Sequence, residues 1–107
     1  MSRLGPQASS AVPALVETLQ SQDAFVRQNA ALALSEIGPD AADAVPALTK
    51  ALSDNAWTVR RQAALALGKI GPRAQSATTA LAKLGKDSDR QVRKAAQEAL
   101  AAIRQPK

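Results

Sequence analysis

Residues 38–70 read GPDAADAVPALTKALSDNAWTVRRQAALALGKI, and the same pattern occurs on both sides of this stretch. The Gly38-Pro39 pair that opens it is repeated 33 residues away in each direction, at Gly5-Pro6 and at Gly71-Pro72. Other identities return at the same spacing: Leu15, Leu48 and Leu81; Val26-Arg27, Val59-Arg60 and Val92-Arg93; Ile37, Ile70 and Ile103. A fixed period of this length predicts supersecondary units that stack on one another.

The period divides the 107-residue chain into repeats 5–37, 38–70 and 71–103, with short tails 1–4 and 104–107. We expect residues 1–107 to form a single repeat domain. Ala and Leu dominate the apolar residues and favour helix over strand. The predicted fold is therefore all-α, a solenoid of three helix-turn-helix repeats.

The middle repeat shows how one unit is organised. Gly38 suits a left-handed position that ends the preceding helix, and Pro46 should kink the first helix of the unit. Asn55 is the expected N-cap of the second helix. Two apolar stripes at helical spacing mark the buried faces, Ala41, Ala44, Val45, Leu48 and Leu52 in the first helix and Val59, Ala63, Ala66, Leu67 and Ile70 in the second.

The consensus resembles a known repeat family. It reads Gly-Pro-x-Ala-x-x-Ala-Val-Pro-Ala-Leu and then Val-Arg-x-x-Ala-x-x-Ala-Leu-x-x-Ile, which is similar to HEAT repeats, in particular to the short bacterial form found in phycobilin lyase subunits. The resemblance extends over residues 5–103. It implies a HEAT-like superhelix, and it is specific for fold rather than for activity.

The arginines that recur at one position of each repeat are expected to be structural. Asp54 and Asp87 stand in the turns of the second and third repeats, where the first repeat has Ser21. This distribution is expected if Arg27 pairs with Asp54 and Arg60 pairs with Asp87, each across a repeat boundary. The HEAT resemblance implies the same ladder of Asp and Arg residues.

The candidate partner-binding residues lie on the second helices, which line the concave surface of HEAT-like stacks. Trp57 begins the second helix of the middle repeat, where the other repeats have Ala24 and Arg90, so the fold does not require a tryptophan there. Tryptophan is enriched at binding hot spots, although packing at the rim of a neighbouring helix is the alternative. The other candidates are Gln28, Asn29, Arg61, Gln62, Lys69 and Lys94, and an ordinary solvated face is the alternative for them.

The two ends of the array differ in polarity. Ala31 and Leu32, like Ala64 and Leu65, correspond to Gln97 and Glu98 in the last repeat, so we expect these positions to face the following repeat and the third repeat to act as a cap. The first repeat retains its apolar residues Val12, Leu15, Val16 and Leu19. A partly apolar outer face there would fit a monomer or a weak homodimer formed through the N-terminal repeat, or a missing upstream repeat.

Charge increases along the array. Repeat one has one basic and three acidic residues (net −2), repeat two has four and three (net +1), and repeat three has six and three (net +3). A basic C-terminal half could attract phosphate, so nucleic-acid binding is one alternative function. However, proteins that bind single strands typically have aromatic residues between such cations, and none lies between these.

Catalysis has little support in the sequence. The chain has no His, Cys or Tyr, which removes the usual general bases, thiol nucleophiles and zinc ligands. We expect a non-enzymatic, cytoplasmic protein without cofactor or membrane span, a scaffold that binds a protein partner on its concave face. A phycobilin lyase-like subunit, implied only by the resemblance, is the other alternative.

Overall fold

The computed structural model describes residues 5–104, with side chains from residue 10 onward. Tail residues 1–4 and 105–107 lie outside this part. Within it all regular structure is helical, as the sequence predicts, and no strand occurs. The elements are α1 (Gly5–Thr18), α2 (Ala24–Ile37), α3 (Val45–Ala51), α4 (Trp57–Ile70), α5 (Thr78–Leu84) and α6 (Arg90–Arg104), with 3-10 segments Gly38–Ala44 before α3 and Gly71–Ala77 before α5.

The helices form two layers. Helices α2, α4 and α6 pack side by side in chain order and make the most extensive contacts in the molecule. The first helices of the hairpins, α1, α3 and α5 with the 3-10 segments, form the other layer. The overall dimensions are 38 × 38 × 19 Å, and the short one fits two helix layers because packed helix axes lie about 8–10 Å apart. The all-α solenoid of three helical hairpins predicted from the sequence is confirmed.

The core lies between the layers and between successive hairpins. Every residue of the two apolar stripes predicted for the middle repeat is buried. Small residues line the contacts between the second helices, where Ala31 and Ala64 are both fully inaccessible. Because alanine is small, the second helices approach closely at these positions, and leucines fill the rest of the interior.

Glycines end α2 and α4. Gly38 (φ 76°, ψ −141°) and Gly71 (φ 78°, ψ −145°) donate their N–H groups to the carbonyls of Leu34 and Leu67. The positive φ is as expected, but ψ places both residues outside the left-handed helical region. This conformation is one that only glycine adopts readily, since any Cβ would strain it.

The first helix is interrupted in repeats two and three, and the interruption does not depend on a proline in α3 or α5. A 3-10 segment precedes α3 and α5 alike, and both contain the same non-helical alanine, Ala41 (φ −93°, ψ 17°) and Ala74 (φ −93°, ψ 20°). Pro46 accompanies the break in repeat two, whereas Thr79 stands at its place in repeat three. The expectation of a kink made by Pro46 is therefore wrong. Pro46 sits at the start of α3, where a missing N–H costs little.

The N-cap expectation for the middle repeat is also wrong. The N-cap of α4 is Ala56, which makes no side-chain capping bond, while Asn55 is exposed one residue earlier. The residue equivalent to Ala56 in the first repeat, Asp23, caps α2 by accepting the N–H of Phe25 at 2.9 Å. Asp89 accepts the N–H groups of Gln91 and Val92 at 2.8 and 3.0 Å. The aspartate cap is thus present in the outer repeats and missing in the middle one.

Two expectations about the ends of the array need correction. Leu32 is not covered by the next repeat: it is 41% exposed, whereas its neighbour Ala31 is buried as expected. In the first repeat Val12 and Leu19 are buried, and Leu15 and Val16 are half-buried against the core. These four residues therefore form no exposed apolar face, because they pack on the hairpin to which they belong and on its neighbour.

Candidate functional site

The turn edge of the array carries two ion pairs that cross repeat boundaries. Arg27 donates through Nε to Asp54 Oδ2 at 2.7 Å and through Nη2 to Asp54 Oδ1 at 3.0 Å. Arg60 holds Asp87 in the same way, with Nε to Oδ1 at 2.9 Å and Nη2 to Oδ2 at 3.2 Å. Side-chain exposure is only 10–17% for all four residues. Such bidentate, partly buried pairs are geometrically demanding.

A third nitrogen of each arginine fixes the turn of its own repeat. Nη1 of Arg27 donates to the Ser21 carbonyl at 2.7 Å, and Nη1 of Arg60 donates to the Asp54 carbonyl at 2.8 Å. Each carboxylate in turn accepts a backbone N–H of its own turn, Asp54 from Ala56 and Asp87 from Asp89. The ladder therefore joins two neighbouring turns and braces each of them.

These contacts shift the acidities of the ladder residues. Burial by itself would raise the pKa of Asp54, but hydrogen bonds from Arg27 and from the Ala56 N–H, with the charges of Arg27 and Arg60, hold it below its ordinary value. Burial opposes ionisation of Asp87 as well, and the Asp89 N–H and Arg60 outweigh it, so its pKa is also lowered. The hydrogen bond to Asp54 raises the pKa of Arg27. Both carboxylates are thus held in the charged form.

Arg61 and Lys94 come together although they belong to different repeats. They line an open groove of about 410 Å³ between α4 and α6. The other lining residues are Leu65, Arg90, Gln91, Ala95 and Glu98. Three cations face one carboxylate in this groove, so its local charge is positive.

Lys69 extends the same surface toward the other end of α4. It lines an adjoining groove of about 230 Å³, which shares Leu65 and Glu98 with the first one. A small residue, Gly68, forms part of its floor, where α4 approaches Ala99 of α6 closely. We call the exposed side of α2, α4 and α6 the second-helix face.

The remaining candidates are spread over the face. Asn29 is exposed on α2, and Gln28 and Gln62 are half-buried. Trp57 is 39% exposed at the start of α4 but lines none of the grooves described. The structure thus unites Arg61 with Lys94 and leaves the other predicted residues outside that cluster, apart from Lys69 in the adjoining groove.

Sequence reasoning missed several residues of this face. Arg90 and Gln91 line the groove beside Lys94, and Leu65 joins its two halves. On α2, the exposed Leu32 was also missed. It lies on the same side of the helix as Phe25, which is 66% exposed and which the sequence does indicate as a second aromatic candidate, beside Ala24 at the position equivalent to Trp57. The spacing of Phe25 and Leu32 was available as a signal, but the correspondence of Leu32 with Glu98 suggested a covered position instead.

A further depression, larger than these two grooves, lies away from the second-helix face. It measures about 580 Å³ and is lined by Leu19, Gln20, Arg27, Ala47, Lys50, Ala51, Ser53, Asp54 and Asn55. Arg27 and Asp54 are already bonded to each other there, so they present no unsatisfied group to a ligand.

The structure offers no built metal site in the described part of the chain, because no group of three potential ligand side chains of His, Cys, Asp or Glu converges there. Across residues 5–104, none of the helices combines the length and apolar character needed to cross a membrane.

Stacked helical hairpins, joined by a turn-edge ladder and displaying parallel second helices, define an α-solenoid, a class that presents extended binding surfaces. A profile described as HEAT repeats matches residues 39–101, and a second one described as HEAT repeat matches residues 11–41. The chain belongs to the HEAT-repeat family. Proteins of this family are typically non-catalytic scaffolds, so the fold fits a role in protein interaction.

Solved structures agree with this assignment. Two engineered proteins with crystal structures from the Northeast Structural Genomics Consortium resemble the chain. The first is 35% identical with a TM-score of 0.75, and the match covers 88% of this chain and 45% of that one. The second is 32% identical with a TM-score of 0.74, covering 92% of this chain and 28% of that one. The chain therefore spans less than half the length of either. No curated protein sequence matches it significantly.

Proposed function

We propose that this chain is a non-catalytic scaffold that binds a protein partner on its second-helix face. The observation that carries the proposal is the groove between α4 and α6, where Arg61 and Lys94 from successive repeats stand together with Arg90. On the same face, Trp57, Phe25 and Leu32 leave large apolar surfaces exposed. Aromatic anchors beside charged residues are typical of protein-binding surfaces.

In this proposal Trp57 supplies an apolar anchor, and the basic groove selects an acidic segment of the partner. Gln28, Asn29, Gln62 and Lys69 would add polar contacts along the face. The face would act as the concave side of the array. Residues of the ladder would contribute to stability and not to binding.

The test is affinity capture from the source lysate with the wild-type chain and with an Arg61→Glu/Lys94→Glu variant. A matched control, Arg73→Glu/Lys83→Glu, makes the same charge change in the first-helix layer, where both side chains are exposed. We expect a discrete protein that is retained after nuclease treatment, lost with the groove variant and kept with the control. Equal capture by all three proteins would contradict the proposal.

Nucleic-acid binding is a second candidate, and the three cations of the groove are the observation that favours it. Against it, Glu98 lies in the same groove and no aromatic side chain lines it. If the chain binds nucleic acid, the captured material should be lost on nuclease treatment. The affinity should also fall steeply with increasing salt, because binding releases counterions.

A phycobilin lyase-like role is a further alternative that rests only on the resemblance of the repeats. Neither the HEAT-repeat families nor the two engineered proteins that resemble this chain are described as acting on a phycobilin. Mixing the protein with a bilin tests it directly, since binding would shift the absorption band of the pigment, and an unchanged spectrum would remove this alternative.

A further inference from the structure

Arg93 repeats, at the C-terminal repeat, the geometry of the two ladder arginines. Its Nη1 donates to the Asp87 carbonyl at 2.8 Å and to the Ser88 carbonyl at 3.2 Å. Arg60 makes the corresponding bonds to the carbonyls of Asp54 and Asn55, at 2.8 and 3.1 Å. The guanidinium of Arg93 is therefore held against its own turn and is half-buried there.

The Nε and Nη2 atoms of Arg93 differ in their partners from the same atoms of Arg27 and Arg60. In Arg27 and Arg60, Nε and Nη2 together hold an aspartate of the following repeat. Across residues 5–104, ion pairs join only those two arginines to Asp54 and Asp87. Nε and Nη2 of Arg93 have no carboxylate within the described part of the chain.

We propose that Arg93 is a preformed receptor for an aspartate or glutamate side chain of a partner protein. The chemistry of the occupant follows from the equivalent positions, since both filled forks hold a planar carboxylate with two parallel hydrogen bonds. Fixing the guanidinium through Nη1 lowers the ordering cost of binding at Nε and Nη2. Residues 86–94 carry four cations, Lys86, Arg90, Arg93 and Lys94, against Asp87 and Asp89, and Asp87 is already paired with Arg60, so the local charge also favours an acidic segment.

A second copy of this chain stacked end to end on α6 would not supply this carboxylate. If the N-terminal repeat of another copy stacked on α6 as the inner repeats stack on each other, Ser21 would face Arg93 where Asp54 and Asp87 face the other two arginines. Serine offers no carboxylate. In addition, Gln97 and Glu98 are exposed on α6 where the inner repeats have Ala64 and Leu65, so that surface suits a polar partner.

This contact would lie at the turn edge and would add to binding at the second-helix face. The proposal for Arg93 rests on the proposed scaffold function in one respect, which is that the ligand is a segment of a protein. A Trp57→Ala variant separates the two proposals, because Trp57 lies in a different repeat and contributes nothing to the Arg93 fork.

The experiment is a titration of the ¹⁵N-labelled chain with a hexa-aspartate peptide, followed by the Nε–H signals of its arginines. Arg27 and Arg60 already hold carboxylates and serve as internal references, so their signals should stay in place. The Arg93 signal should move toward theirs, and should do so equally in the Trp57→Ala variant. A hexa-asparagine peptide of the same length is the matched control and should move nothing.

Arg93→Lys tests the fork itself, since it keeps the charge and loses the planar pair of donors. We expect it to weaken hexa-aspartate binding about tenfold, as the loss of a charge-assisted hydrogen bond predicts. Unchanged affinity in this variant, or an Arg93 signal that moves no more than those of Arg61 and Arg90, would overturn the proposal. An Arg93 signal that responds to a single-stranded oligonucleotide and not to the peptide would overturn it as well.

Discussion

At the scale of single residues, the start of α4 lacks the side-chain N-cap that the equivalent helices have. Asp23 and Asp89 cap α2 and α6, whereas Ala56 leaves the same position of α4 without a side-chain acceptor. Asp87 and Asp89 coexist in the third repeat, with Asp87 accepting the N–H of Asp89. A second aspartate two residues after Asp54 is therefore compatible with the turn.

We predict that Ala56→Asp stabilises the chain by about 0.5–2 kcal/mol, because the new carboxylate would accept the N–H of Thr58 at the helix start, as Asp89 accepts that of Gln91. Thermal unfolding at neutral pH measures the gain. Ala56→Asn is the control, since it supplies a capping oxygen without charge and should give most of the effect. A melting temperature that neither variant raises would show that the turn of the middle repeat cannot accommodate the cap.

The ladder makes a second prediction at this scale. Asp87→Ala removes a carboxylate that binds both Arg60 and the Asp89 N–H, and leaves the half-buried guanidinium of Arg60 without its partner. We expect a loss of about 1–3 kcal/mol, in the range of charge-assisted hydrogen bonds, without loss of partner binding at the second-helix face. Denaturant unfolding measures it, and Ser88→Ala, an exposed neighbour, is the control. An unchanged unfolding curve for Asp87→Ala would contradict a structural role for the ladder.

At the scale of elements, the distance between α4 and α6 depends on one glycine. A Cβ at Gly68 would lie 3.0 Å from Ala99 Cα and 3.3 Å from Ala99 Cβ, where α4 contacts α6. Elsewhere in a helix, replacing glycine by alanine gains about 1 kcal/mol from propensity. Here the added methyl group meets backbone, which cannot rotate away.

We predict that Gly68→Ala lowers stability, against the helix propensity of the two residues, because α6 must move away from α4. Ser35 occupies the same position in α2 and is the matched control. Ser35→Ala should be neutral or slightly stabilising, since it removes only the local bond from Ser35 to the Leu32 carbonyl. Chemical denaturation of both variants checks the difference, and a gain in stability for Gly68→Ala would show that α6 shifts without cost.

Periodicity predicted most of the elements, and local chemistry explains the failures. The 33-residue spacing indicated the hairpins and the buried stripes because apolar positions must recur where each unit meets the next. The kink assigned to Pro46 is wrong because the same break occurs in repeat three, where Thr79 replaces the proline, and in both repeats the non-helical residue is a buried alanine, Ala41 or Ala74. The prediction that Leu32 is covered by the following repeat is wrong because an alignment of the repeats does not show which side of a helix the following repeat covers. The groove that unites Arg61 and Lys94 depends on helix stacking, and a sequence shows only that both are basic.

At the scale of the whole molecule, the ladder connects stability to pH. The pKa values of Asp54 and Asp87 are lowered in the folded chain, so the ladder stabilises it above the unfolded value of about 3.9. This stabilisation is lost as the pH falls through the lower folded-state values. We predict that the melting temperature falls in this acid range, and that Asp54→Asn/Asp87→Asn is less stable at pH 6 but loses less on acidification. A parallel decline in both proteins would assign acid sensitivity to other carboxylates.

The cohesion of the array rests on leucines that occupy the same place in successive repeats. Leu34 and Leu67 are fully buried, whereas Leu100, their counterpart in α6, is half-buried. The difference arises because Leu34 and Leu67 are covered by the hairpin that follows them. In a solenoid, where each unit contacts only its neighbours, the central repeat belongs to both interfaces and its loss affects the entire stack.

We therefore predict that Leu67→Ala costs about 2–5 kcal/mol and that Leu100→Ala, the matched control, costs clearly less. Denaturant titration followed by far-UV circular dichroism measures both. If residues 1–107 form one domain, the wild-type chain unfolds in a single transition, and Leu67→Ala lowers its midpoint or divides it by uncoupling the outer hairpins. Equal losses for the two variants would contradict this, because they would mean that coverage by a following repeat adds nothing to the burial that each hairpin achieves by itself.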